Sequence, residues 1–287
     1  PPPLFLFMPR GPARSTDGVS SAASDGYKRQ SSFSGRRRSS AAGVSGGIRN
    51  AAVMNATKVL SEELGPKGIT VNAVAPGFID PHTHAVRGIF DVPTADNYLL
   101  QGVTTLTEGN DGSSPFPIGE HLDRIATTSI SPNWAVFVGQ GTIRREVIGS
   151  DDRPPTADEL AEMQTLVGTA MQEGALGIST GRFYVPGSFT STEEVIALSS
   201  VAATYGGIYI SHMRDEAQLL LDSVRETIRI GEEAGLPVQM THHKAISRDM
   251  WGRSVDSLAL VDAARARGVD ITIDQYPYCL LYTSDAA

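Results

Sequence analysis

Gly77-Phe78-Ile79-Asp80-Pro81-His82-Thr83-His84 is an apolar run that ends in His-x-His. Alternate residues of a strand point to one face, so His82 and His84 can aim both imidazoles at one point, as two ligands of a single metal ion must. Two more histidines, His212 and His242, stand at the ends of the apolar runs Gly207-Ile-Tyr-Ile-Ser211 and Pro237-Val-Gln-Met-Thr241. A His-x-His alone is a weak signal, whereas four imidazoles at strand ends form a pattern.

Further apolar runs lie at Gly102-Val-Thr-Thr-Leu-Thr-Glu108, Trp134-Ala-Val-Phe-Val138, Ala175-Leu-Gly-Ile-Ser-Thr180 and Val269-Asp-Ile-Thr-Ile-Asp274. Between several of them the spacing predicts helices with readable ends. Thr156-x-x-Glu159 and Ser191-x-x-Glu194 are capping-box candidates, and Gly174, Gly206, Gly235 and Gly268 fall where helices should stop. Leu160, Met163, Val167 and Ala170 keep one helix face, as do Val195, Leu198, Ala202 and Tyr205, which is the stripe of core packing. Strands alternating with helices imply parallel crossovers, and the strand before His82 brings the total to seven. The α/β fold that fits is a (β/α)8 barrel of TIM type, truncated before its last strand. The active site of such a barrel lies at the C-terminal strand ends, where the four histidines fall.

Composition narrows the function classes. The chain has 287 residues, is 40% hydrophobic and carries a formal net charge of -8, enough for a substantial core and unsuited to nucleic acid as a main partner. A single cysteine, Cys279, excludes an intramolecular disulfide framework and points to a reducing, cytoplasmic setting. Leu4-Phe5-Leu6-Phe7-Met8 is too short to span a membrane and lacks the form of a signal peptide. Residues 1–45 are rich in Ser, Gly, Ala, Pro and Arg without periodicity and are expected to be a disordered or non-native leader, with Arg36-Arg37-Arg38 a solvated charge run.

Residues 76–278 resemble the amidohydrolase superfamily, and within it the N-acyl-D-amino-acid deacylases. The resemblance is carried by Pro76-Gly-Phe-Ile-Asp-Pro-His-Thr-His84, Gly102-Val-Thr-Thr105 with Gly109-Asn-Asp-Gly112, Val138-Gly-Gln-Gly-Thr-Ile-Arg144, Gly177-Ile-Ser-Thr-Gly181, Ser211-His-Met-Arg-Asp-Glu216, Thr241-His-His-Lys244 and Asp274-Gln-Tyr-Pro-Tyr278. It implies a zinc-dependent hydrolase that cleaves the amide bond of a small N-acyl-D-amino acid by attack of a metal-activated water. The implied ligands of one Zn2+ ion are Asp111, His212 and His242. Asp111 stands where the family usually has cysteine; an Asn-Asp-Gly turn is the alternative reading of this residue. His82 and His84 would hold a second, weaker ion or help position the bound water, so one or two ions are implied. Lys244 and Tyr276 fall near the acyl-amino acid, with Lys244 suited to a carboxylate. Gln140 stands where relatives often carry histidine. The family's general base is an aspartate on the eighth strand, which is expected to lie beyond this sequence, so hydrolysis by the chain is expected to be slow or absent. Asp274 is read as structural, His243 as structural or behind the ligands, and His121 as a helix residue with no metal context.

Residues 46–75 resemble a different family, the short-chain dehydrogenase/reductases, through the helix Ala51–Leu64 and Gly68-Ile-Thr-Val-Asn-Ala-Val-Ala-Pro-Gly77. Gly46 and Asn50 occupy the places of that family's tyrosine and lysine, and no glycine-rich nucleotide loop follows an early strand. Val74-Ala-Pro-Gly-Phe-Ile79 fits both families, which suggests a chimera joined at shared sequence. Residues 279–287, and Ala23-Ser-Asp-Gly-Tyr-Lys-Arg-Gln30, resemble translated sequencing-library sequence, and the tail is expected to be non-native. An NAD(P)-dependent oxidoreductase remnant and a non-catalytic chimeric fragment are the alternatives to the hydrolase.

Overall fold

The computed structural model describes residues 78–275. The leader over 1–45, the dehydrogenase-like helix and strand, Tyr276 and the tail over 279–287 lie outside the described residues. Eight strands are present among those described: β1 (Phe78–Asp80), β2 (Val103–Glu108), β3 (Asn133–Val136), β4 (Val138–Gly139), β5 (Gly177–Gly181), β6 (Ile208–His212), β7 (Val238–Met240) and β8 (Ile271–Ile273). All pairings are parallel, in a three-stranded sheet of order β1-β2-β3 and a five-stranded sheet of order β4-β5-β6-β7-β8. Seven helices of α type run beside them: α1 (Asp96–Leu99), α2 (Ile118–Thr128), α3 (Gln140–Val147), α4 (Ala157–Gln172), α5 (Thr192–Thr204), α6 (Leu220–Ala234) and α7 (Ser254–Ala266).

The sequence predicts seven strands and the described residues hold eight, because the run around Phe137 is divided. Asn133–Val136 pairs with β2, and Val138–Gly139 pairs with β5. At the division Phe137 N–H donates to Glu108 O at 2.8 Å, and Val136 O accepts from Leu176 N–H at 2.8 Å. The backbone therefore changes partner within two residues, and the two sheets are assigned where the sequence suggests one continuous set. What is established is an α/β fold with parallel sheets in sequential order.

Within each sheet, strand order follows chain order because successive strands are joined through a helix. The core lies between them, with Val136, Val138, Ile178, Tyr209 and Met240 of the strands against Met163, Val167, Leu198, Val224 and Val261 of the helices. The N-terminus of α4 has both bonds of a capping box: Thr156 Oγ1 accepts from Glu159 N–H, and Glu159 accepts from Thr156 N–H at 2.7 Å. At α5 only half forms. Ser191 Oγ accepts from Glu194 N–H at 3.1 Å, while the Glu194 carboxylate turns inward to Arg144 at 2.5 Å and Gln140 at 3.0 Å. Tyr205 departs from the expected stripe. Helix α5 ends at Thr204, and Tyr205 is 45% exposed with its hydroxyl bonded to Gln172.

Candidate metal centre

His82 and His84 follow β1, Asp111 follows β2, His212 ends β6 and His242 follows β7. Parallel strands place all these ends on one side, so residues far apart in sequence meet. The Asp111 carboxylate is the meeting point. Its Oδ2 lies 3.3 Å from both His82 Nε2 and His84 Nε2, and its Oδ1 lies 3.3 Å from His212 Nδ1 and 3.8 Å from His242 Nε2. His212 Nδ1 and His242 Nε2 are 2.9 Å apart. Two groups result, His82-His84-Asp111 and Asp111-His212-His242, each with its donor atoms within 4.8 Å of one another.

The donor chemistry fits a cation such as zinc. Four ligands held tetrahedrally at about 2.0–2.1 Å stand roughly 3.3 Å apart, which is the spacing between Asp111 and three of the imidazoles. Asp111 Oδ1 is buried and takes no hydrogen bond of acceptable angle despite its near neighbours, and His82 Nδ1 has none either. A carboxylate oxygen desolvated in this way is costly unless something positive approaches it.

Backbone conformation fixes these residues. Asp111 has φ 55° and His242 φ 39°, left-handed values that are uncommon outside glycine and tolerated best by Asp and Asn. The Asp111 turn sits directly on β5: a Cβ at Gly181 would fall 2.0 Å from Asp111 O, and one at Gly112 would fall 2.6 Å from Gly181 N. Ser179 Oγ accepts from Gly112 N–H at 3.1 Å and donates to Gly109 O. On the other side, Thr83 Oγ1 donates to Glu108 Oε1 at 2.5 Å, Ala85 N–H donates to the same oxygen, and Asn110 Nδ2 donates to Thr83 O at 3.1 Å. The His-x-His segment is thereby pinned to the end of β2. His242 N–H donates to Asp274 Oδ1 at 2.5 Å, which ends the β7 run with a side chain of β8's extension.

Electrostatics follow from this packing. Burial alone would raise the Asp111 carboxyl, but the surrounding imidazoles of His212, His242, His82 and His84 outweigh it and hold the group far below the usual carboxylate range. Burial lowers His242, yet Asp111 and Glu216 reverse the effect and push it up to about 9. His84 is raised, chiefly by its interaction with Asp111.

Lys244 lies near this centre, with Nζ 2.7 Å from Glu216 Oε1 and 2.6 Å from Oε2. Glu216 is absent from the residues that the sequence singles out, although it stands in Ser211-His-Met-Arg-Asp-Glu216, the motif that holds His212. Glu108 and Asn110, on either side of Gly109 before Asp111, are absent likewise. His243 turns away and meets Ser257 Oγ at 2.8 Å, and His121 Nε2 accepts from Trp134 Nε1 at 3.0 Å. Gln140 is buried and bonded to Thr190 and Glu194. The ring of Tyr184, after β5, meets His212 edge-on at 4.9 Å between centroids.

Comparison with known proteins gives two signals. A family profile described as Enoyl-(Acyl carrier protein) reductase matches residues 30–104. The larger signal is to D-aminoacylase from Alcaligenes xylosoxydans xylosoxydans, 38% identical over 238 residues, covering 71% of this chain and 47% of that protein. A solved D-aminoacylase described with a binuclear metal center, one-metal activation and second-metal attenuation superposes with TM-score 0.67 at 37% identity, over 71% of this chain and 48% of the other. N-acyl-D-glutamate deacylase from Bordetella bronchiseptica, solved with zinc and a phosphonate mimic of the tetrahedral intermediate, gives TM-score 0.68 at 32% identity over 71% and 48%. The chain spans about half the length of the curated relatives it matches. Over the shared stretch, the chain is similar in sequence and fold to the D-aminoacylases and N-acyl-D-glutamate deacylases.

Proposed function

We propose that this chain carries the metal-binding part of a zinc-dependent hydrolase that cleaves the amide bond of N-acyl-D-amino acids. The observation that carries the proposal is the Asp111 carboxylate, within 3.3 Å of His82, His84 and His212 and 3.8 Å of His242. Asp111, His212 and His242 would hold one ion, and His82 and His84, on the other side of the same carboxylate, would hold a second ion or orient the water. When bound, zinc supplies a Lewis acid for the amide carbonyl and a water of lowered pKa. Lys244 and Tyr276 are assigned to the acyl-amino acid, with Lys244 on its carboxylate. The proton acceptor is assigned to no residue of this sequence. The relatives' names, D-aminoacylase and N-acyl-D-glutamate deacylase, support the substrate class.

For the fold, the parallel sequential strands favour a (β/α)8 barrel, with the candidate ligands at its C-terminal mouth. The reductase profile matched over 30–104 includes residues 46–75 and supports reading them as a dehydrogenase-like piece; the assigned divisions are a leader over 1–45, that piece, the hydrolase piece over 76–278 and a tail over 279–287. A cytoplasmic site of action fits the single cysteine; no helix among the described residues is long and apolar enough to cross a membrane.

The test is hydrolysis of paired N-acetyl-D- and N-acetyl-L-amino acids by protein stripped of metal and reloaded with zinc. Slow, zinc-dependent release confined to the D series supports the proposal, and equal release from both enantiomers counts against it.

A further inference from the structure

Glu216 touches two members of the site and has been given no task. It lies in the turn after β6, its side chain is 7% exposed, and its backbone oxygen accepts from Ile246 N–H at 3.0 Å. Oε1 stands 2.9 Å from His242 Nδ1, and the two carboxylate oxygens stand 2.7 and 2.6 Å from Lys244 Nζ. Lys244 Nζ is itself 2.9 Å from His242 Nδ1 and 3.1 Å from His242 O.

These neighbours make opposite demands on one imidazole. A carboxylate can only accept, so Glu216 asks for a proton on Nδ1 and leaves a lone pair on Nε2, the nitrogen that faces Asp111 and His212. An ammonium can only donate, so Lys244 asks for a lone pair on Nδ1, which sends the proton to Nε2 and blocks that nitrogen as a ligand. Lys244 has other acceptors in both Glu216 oxygens and the His242 carbonyl, whereas a proton on Nδ1 has the Glu216 oxygen before it. The arrangement is satisfied when Nδ1 carries the proton.

We propose that Glu216 is a positioning residue of the metal centre: it holds the proton of His242 on Nδ1 and draws the Lys244 ammonium onto its own oxygens, so that the Nε2 lone pair faces the ion. This rests on the reading of Asp111, His212 and His242 as ligands. It has a consequence that a merely structural ion pair lacks. Loss of the Glu216 charge should harm metal binding partly through Lys244, and removing Lys244 as well should restore it.

The experiment is a cobalt titration of the chelator-stripped full chain, followed by visible absorption and calorimetry, for the wild type, Glu216→Gln and Glu216→Gln/Lys244→Met. Glutamine keeps an oxygen for Nδ1–H but no longer attracts the ammonium. Cobalt affinity is expected to fall about 10–100-fold in the single variant and to recover in the double variant, with unchanged metal-free circular dichroism. Single-variant affinity equal to that of the wild type overturns the proposal. So does a loss that the second substitution leaves in place, or one that only tracks a fall in metal-free melting temperature. Failure of the wild type to bind cobalt overturns the metal reading itself and this proposal with it, whereas wild-type binding with an indifferent Glu216→Gln overturns this proposal alone.

Discussion

At the scale of single residues, Asp111 organises four imidazoles with one carboxylate, and that charge raises His84 and, together with Glu216, His242. The consequence for stability has a definite sign. A histidine raised from 6.5 to about 9 contributes stability to the metal-free protein that is fully present below pH 6.5 and is lost as pH rises through 9. Metal needs the same nitrogen unprotonated, so zinc affinity should rise over that window while metal-free stability falls. Thermal melts of stripped protein between these pH values, paired with zinc titrations, check both slopes; parallel slopes would contradict the assignment. Asp111→Asn removes the charge at nearly constant shape. It should lower zinc affinity at least about tenfold, equivalent to about 1.4 kcal/mol, and bring His242 back towards 6.5, as an NMR titration of the imidazole would read.

At the scale of elements, the strand ends were legible because period-two apolar runs stop at histidines, and the capping box of α4 was legible because Thr156 and Glu159 are local to each other. What escaped was everything decided by distant partners. Glu194 looks like a capping residue until Arg144, on another helix, takes its carboxylate. The motif that holds Glu216 does not show its partners, since His242 and Lys244 lie 26 and 28 residues further on. The division at Phe137 depends on which neighbour each backbone group meets, and side-chain pattern does not encode it. Close backbone approach is also hidden in sequence, although glycine marks it. Gly181→Ala would set a Cβ 2.0 Å from Asp111 O. Overpacking of this kind costs about 1–3 kcal/mol and should displace the Asp111 turn. A lower melting temperature together with weaker zinc binding is expected; a lowered melting temperature with zinc affinity intact would detach the turn from the site.

At the scale of the molecule, the two sheets differ in how well their strands are supported. β6 is paired on both sides and carries buried Tyr209 and Ile210, whereas β1 is three residues long and, among the described residues, paired only with β2. Amide hydrogen exchange should therefore be slowest at Tyr209, Ile210 and Ser211 and faster at Ile79 and Asp80. Metal should protect β1 most, because His82 and His84 tie its end to Asp111. The candidate ligands follow strands of both sheets, so bound metal would fasten elements that backbone pairing keeps separate.

The proposed chemistry depends on a metal ion bound by Asp111, His212 and His242. Elemental analysis of the purified chain after zinc loading and desalting tests it most directly, with His212→Ala/His242→Ala beside the wild type. Retention of zinc by the wild type and its loss from the double variant is the predicted result. Equal zinc content in both would contradict the account.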